Sequence, residues 1–113
     1  MIKTERLAGR RDFGAVCTEG KSWANNLVAL RALPNGLGLN RYGFAVGRRL
    51  GGAVVRNRVR RRLREVVRRT PIKGGWDLVF IARQPAIEND YHALRKATEE
   101  LLDRARLLGN GSG

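Results

Sequence analysis

Between Val54 and Arg69 the chain reads VVRNRVRRRLREVVRR, eight arginines in sixteen residues laid over an apolar repeat. On a helical wheel at about 100° per residue, Val55, Val59, Leu63, Val66, Val67 and Thr70 fall within roughly one third of the circle, and a stripe of that width needs a core to pack on. Asn57, Arg58, Arg60, Arg61, Arg62, Arg64, Glu65, Arg68 and Arg69 take the remaining arc, with Arg56 at the border of the stripe. The segment therefore demands a fold in which one helix lies valine-side down on a sheet and turns an almost wholly cationic face outward.

A merely solvated helix face alternates its signs, because acid–base pairs four residues apart stabilise it and like charges at that spacing oppose it. Here Glu65 alone offsets eight arginines, and from Arg41 to Arg69 it faces eleven. Self-repulsion on that scale points to a partner that neutralises it. The net charge of +13 and the sequence pI of about 11.6 place the whole chain among proteins that bind polyanions. Guanidinium presents a planar donor fork that matches phosphate oxygens and stacks on bases, whereas a lipid surface needs only point charge. A membrane helix would also carry large apolar groups on its other face, and the valines here are committed to the core. RNA is the expected partner, with no membrane.

At 113 residues the chain supports one compact domain, read as residues 1–108, with GNGSG at 109–113 as a flexible tail. Cys17 is the only cysteine, which excludes an internal disulfide and fits a reducing compartment, the cytoplasm. The opening MIKTERLAGRRDF has no apolar run before its charges, so neither a secretory leader nor a membrane span is expected.

The periodicity predicts a first helix over 10–19, where Phe13, Val16 and Cys17 recur at helical spacing before Gly20. Residues 21–24 and 27–33 look extended, and PNGLGLN supplies turn chemistry for a hairpin-like return. In RYGFAVGRR, Tyr42, Phe44 and Val46 alternate with Gly43, Ala45 and Gly47, so one strand face looks bare and open to close approach. Gly51 and Gly52 break that strand, and the arginine helix starts near Ala53. WDLVFIAR has four consecutive apolar residues, Leu78 to Ile81, marking a strand buried on both faces. From Asp90, the residues Tyr91, Leu94, Thr98, Leu101, Leu102, Ala105 and Leu108 line a last amphipathic helix. The fold class is α+β, a two-layer sandwich in the order α-β-β-β-α-β-α on a mainly antiparallel sheet. If the Tyr42 and Trp76 strands are parallel neighbours, the arginine helix is their crossover.

No catalytic set can be assembled. The carboxylates are scattered, His92 is the only histidine, and no Ser, His and Asp arrangement or metal-ligand spacing occurs. Asn57 admits two readings, a cap near a helix start or a directional hydrogen bond to sugar or base among charge contacts. On composition alone a ribosomal or ribosome-assembly protein is as suitable a class as any other small basic α+β RNA binder.

The run RYGFAVGRRLGGAVVRNRVRRRLREVVR resembles the signature region of the bacterial ribonuclease P protein family, a strand ending in paired basic residues, a Gly-rich turn and a helix bearing RNR. RRDFGAV followed by Gly20 resembles that family's first helix, and WDLVFIARQPA its last strand with the Ala-Arg-x-Pro-Ala exit. The resemblance implies a left-handed βαβ crossover, against the usual hand. It implies a subunit that binds ribonuclease P RNA and the 5′ leader of precursor tRNA and assists leader removal. The catalytic centre and its magnesium would lie in the RNA, with no catalytic residue, tightly bound cofactor or obligate protein partner for this chain. Carried over by position, Arg48, Arg49, Arg56, Asn57, Arg58, Arg60, Arg61 and Arg64 would meet the RNA subunit. Phe13, Cys17, Arg31, Gly43 and Ala45 would line the leader cleft. Two positions depart from the family pattern: Cys17, where many members carry a second aromatic, and Gly52, in place of a usual asparagine.

Overall fold

The computed structural model describes the backbone of residues 3–6 and 9–109 and the side chains of residues 14–109. Strands Lys3–Arg6 (β1), Lys21–Ala24 (β2), Val28–Pro34 (β3), Leu39–Val46 (β4) and Trp76–Ala82 (β5) form one sheet in the order β1-β4-β5-β3-β2. Helices Gly9–Glu19 (α1), Ala53–Arg69 (α2) and Tyr91–Arg104 (α3) pack on it, with short 3-10 turns at Arg48–Leu50 and Gln84–Glu88. The order expected from periodicity is present, preceded by β1, four residues too short to carry a pattern of its own.

The apolar run of β5 takes the centre of the sheet, as its two-sided hydrophobicity requires. It pairs antiparallel with β3, from Val28↔Ala82 to Pro34↔Trp76, and parallel with β4, from Arg41↔Asp77 to Val46↔Ala82. Helix α2 is therefore the crossover between parallel neighbours. Two expectations change. PNGLGLN does not close a hairpin, because β5 inserts between β3 and β4 and pairs with both along its two edges, while α1 on one side and the α2–α3 layer on the other cover its faces. The sheet is also mixed rather than mainly antiparallel, since β1–β4 and β4–β5 are parallel while β2–β3 and β3–β5 are antiparallel.

The main core lies between the sheet and the α2–α3 layer. Leu30, Leu78 and Phe80 from the strands meet Val59 and Leu63 of α2 and Leu94, Leu101 and Leu102 of α3, all with no exposed surface. Each such side chain stabilises the fold by about 1.5–3 kcal/mol. On the opposite face α1 sits alone, its Val16 closing a smaller cluster with Val79, Leu33 and Ile81. Its end lies so close to β3 that a Cβ on Gly20 would stand 2.5 Å from the Val16 carbonyl oxygen and 2.8 Å from that of Ala32. Glycine is needed there for proximity, beyond stopping the helix.

Buried Asn40 ties β4 to the loop before β5. Its Nδ2 donates to the Tyr42 hydroxyl at 3.1 Å and the Lys73 carbonyl at 2.9 Å, and its Oδ1 accepts from the Trp76 amide at 2.8 Å. Burial raises the pKa of the Tyr42 hydroxyl, and the Asn40 bond partly opposes that shift.

Helix α3 begins at Asp90, whose carboxylate accepts from the Ala93 amide, and it stops at Arg104 instead of continuing to Leu108. Arg106 turns left-handed at φ 59°, the Leu107 amide bonds the Leu102 carbonyl and the Arg106 amide bonds that of Asp103, a Schellman termination without glycine. Leu107 is thereby buried, and Leu108 bridges to Ile72. Gly109, read as the start of a flexible tail, donates its amide to the Pro71 carbonyl at 3.0 Å, and residues 110–113 lie outside the described residues. No helix among the described residues is long and apolar enough to cross a membrane.

Candidate nucleic-acid interface

Helix α2 divides as its wheel predicts. Val59, Leu63, Val66, Val67 and Thr70 are buried, Val55 is half-buried, and Val54 is 80 % exposed beside the Gly51–Gly52 turn. Gly51 adopts φ 148°, where a side chain would be strained and would meet Val55 at 3.1 Å. That conformation swings the chain from the Arg48–Leu50 turn into α2, whose N-cap Gly52 offers no side-chain hydrogen bond.

The cationic face is not uniform. At its C-terminal end, Glu65 accepts from Arg68 Nη2 at 2.6 Å and from Arg69 Nε, and these two arginines hold its carboxyl below the usual glutamate range. Arg62 reaches away from the face to the Asn89 carbonyl at 3.1 Å, tying α2 to the entry of α3. These three guanidinium groups are engaged within the protein; the helical spacing of Glu65 with Arg68 and Arg69 signals two of them, and the Arg62 tie has no sign in the wheel.

The N-terminal half is different. Arg48, Arg49 and Arg61 are exposed, and their side chains make no hydrogen bond or ion pair among the described residues. Arg56 donates through Nε to the Gly51 carbonyl at 3.1 Å, bracing the turn. Arg64 lies with its Cζ 5.8 Å from the Phe44 ring centroid, a cation–π arrangement with no acid beside it among the described residues. Arg60 donates through Nη1 to Asn57 Oδ1 at 2.9 Å. Arg58 has a buried Nε with no partner. All eight residues expected at an RNA interface thus lie on this helix and the turn before it, and among the described residues none is offset by an acid.

Repulsion between the i,i+4 pairs Arg56–Arg60, Arg58–Arg62, Arg60–Arg64 and Arg64–Arg68 costs on the order of 1–2 kcal/mol in a free helix. The buried stripe exceeds that cost, so the fold carries on the N-terminal half of this helix a positive charge that no acid offsets among the described residues.

The leader-cleft candidates lie on the opposite sheet face, beside α1. Arg31 of β3 donates through Nη1 to the Cys17 carbonyl at 2.8 Å, so these two meet, with the guanidinium at the negative end of α1. The register sets Gly43 beside Val79 and Ala45 beside Ile81. Gly43 is buried and Ala45 half-buried, which places the accessible part of this face at Ala45 and corrects the open strand expected at Gly43. Phe13 belongs to α1, but its side chain is outside the described residues.

The sequence reading missed the floor of this face. Asp77, 4 % exposed, receives Arg41 through Nε at 2.8 Å and Nη2 at 2.6 Å, and Asn35 Nδ2 at 3.0 Å. A lone acid opening a strand of apolar residues, WDLVFIA, was the available signal.

Among the described residues no three His, Cys, Asp or Glu side chains group to hold a metal ion.

A sequence profile of the Ribonuclease P family matches residues 1–106. The chain is 38 % identical over 112 residues to the ribonuclease P protein component of Dehalococcoides mccartyi, covering 99 % of this chain and 93 % of that one. It is 45 % identical over 111 residues to that of Symbiobacterium thermophilum, covering 96 % of each. The solved RNase P protein of Thermotoga maritima aligns with a TM-score of 0.81 at 36 % identity, covering 88 % of this chain and 96 % of that one. The Staphylococcus aureus RNase P protein aligns at 0.78 and 28 %, covering 92 % and 97 %. These matches set aside the ribosomal class that composition alone left open.

Proposed function

The chain belongs to the ribonuclease P protein family, the protein subunit of a tRNA-processing ribonuclease, and from that premise we propose how its surfaces divide the work. The arginine face from Arg48 to Arg64 binds the ribonuclease P RNA. The opposite face, between α1 and β4, takes the 5′ leader of precursor tRNA. Hydrolysis takes place in the RNA subunit with its magnesium, and this chain supplies charge and position.

The observation that carries this reading is the run of outward guanidinium groups without acid partners on the N-terminal half of α2 and the preceding turn. Arginine forks neutralise phosphates and release their counterions, which lets a folded RNA pack with fewer divalent cations. For the leader, Phe13 supplies a stacking ring and Ala45 a low wall along which a single strand can run. Arg31 holds α1 at its distance from the sheet. Cys17, in place of a second ring, leaves Phe13 to do the stacking.

Reconstitution tests the reading. Adding the protein to ribonuclease P RNA at low magnesium is expected to raise 5′ leader removal from precursor tRNA, with the gain shrinking as magnesium rises. No gain at low magnesium, with tight binding to ribosomal RNA instead, contradicts it. Phe13→Ala is expected to weaken leader-bearing precursor more than mature tRNA, and equal losses would remove Phe13 from the cleft.

A further inference from the structure

We propose that Asn57 is a positioning residue that presents the Arg60 guanidinium to RNA without lowering its charge, a proposal that rests on the RNA-interface reading above. Asn57 does not cap the helix. The N-cap is Gly52, so Asn57 lies in the second turn of α2, where asparagine disfavours a helix. Its exposed carboxamide oxygen accepts Arg60 Nη1 at 2.9 Å, one turn along the same face.

The same helix contains the contrasting device. Glu65 also holds arginines three and four residues on, but its carboxylate offsets their charge. A carboxamide fixes a guanidinium with a neutral oxygen and leaves the full positive charge for a phosphate. An unheld arginine must give up side-chain freedom when it binds, and a held one has given up part of it beforehand. Arg61, next in sequence and without a partner, shows what Arg60 would be with Ala at position 57.

The test is a double-mutant cycle on the full chain, with ribonuclease P RNA affinity measured across a salt series for Asn57→Ala, Arg60→Ala and the double variant. Asn57→Ala is expected to weaken binding about three- to tenfold, the range of one hydrogen bond. Its salt slope should be unchanged, because no charge is lost. Arg60→Ala should flatten the slope by about 0.7–0.9, one phosphate contact. Adding Asn57→Ala to Arg60→Ala should cost nothing further. Asn57→Asp keeps an acceptor but offsets the charge, so it should flatten the slope as Arg60→Ala does. In the free protein, relaxation of the Arg60 Nε–H signal should show an ordered side chain that becomes mobile in Asn57→Ala. Additive losses in the cycle, or a flattened slope for Asn57→Ala, would assign Asn57 a different role. Full affinity for either single variant would overturn the proposal. The combined replacement of Arg56, Arg58 and Arg61 by Ala in the same assay separates the two readings: if it weakens binding while the cycle fails, the interface stands and only the role of Asn57 falls.

Discussion

The Arg31 guanidinium donates to the Cys17 carbonyl at 2.8 Å, joining the middle of β3 to the last turn of α1. A cation at a helix C-terminus interacts favourably with the macrodipole and satisfies a carbonyl that has no intrahelical donor. With only Val16 buried beneath it among the described side chains, α1 depends on this tie for its seat. Arg31→Ala is expected to lower stability by about 1–2 kcal/mol in denaturant unfolding, with Arg31→Lys intermediate. It should also weaken leader-bearing precursor tRNA more than mature tRNA. A purely structural loss would weaken both equally.

Glu65 makes a second expectation specific. Arg68 and Arg69 hold its folded-state pKa below the ordinary value, so its stabilising contribution is present above the ordinary carboxylate range and disappears as pH falls through the lowered value. Glu65→Gln should melt below the parent at neutral pH, and the two curves should converge in acid as the pH falls below the ordinary glutamate range. Its salt slope for ribonuclease P RNA should match the parent, because Arg68 and Arg69 lie beyond the proposed interface. A steeper slope would extend the interface to the helix end.

Arg106 supplies a third. A non-glycine residue at φ 59° pays a steric cost that glycine avoids, against some loss of chain entropy. Arg106→Gly is expected to stabilise by about 0.5–1 kcal/mol and raise Tm by a few degrees. A lower Tm would mean that the arginine side chain contributes more than the turn geometry costs.

The sequence was informative where structure follows local period. The valine–leucine stripe of α2 and the centrality of β5 each follow from one segment's need to bury specific faces. The separation of β3 from β4 is not local, since it depends on where a strand some forty residues later inserts. The short β1 and the glycine-free end of α3 have no compositional signal. At the site, every candidate arginine was visible, but which ones point outward was not. That division is set by Glu65, whose helical spacing to Arg68 and Arg69 is local, and by Asn89, which only the assembled fold brings to Arg62.

The proposed RNA interface rests on phosphate contacts from the N-terminal half of α2 and its preceding turn. Its most direct test is the salt dependence of affinity for ribonuclease P RNA. With about six phosphates neutralised, log affinity should fall against log salt with a slope of about −4 to −5, and replacing Arg56, Arg58 and Arg61 by Ala should flatten it by about 2 to 3. A slope unchanged by the triple replacement would place the RNA elsewhere on the protein and contradict the account.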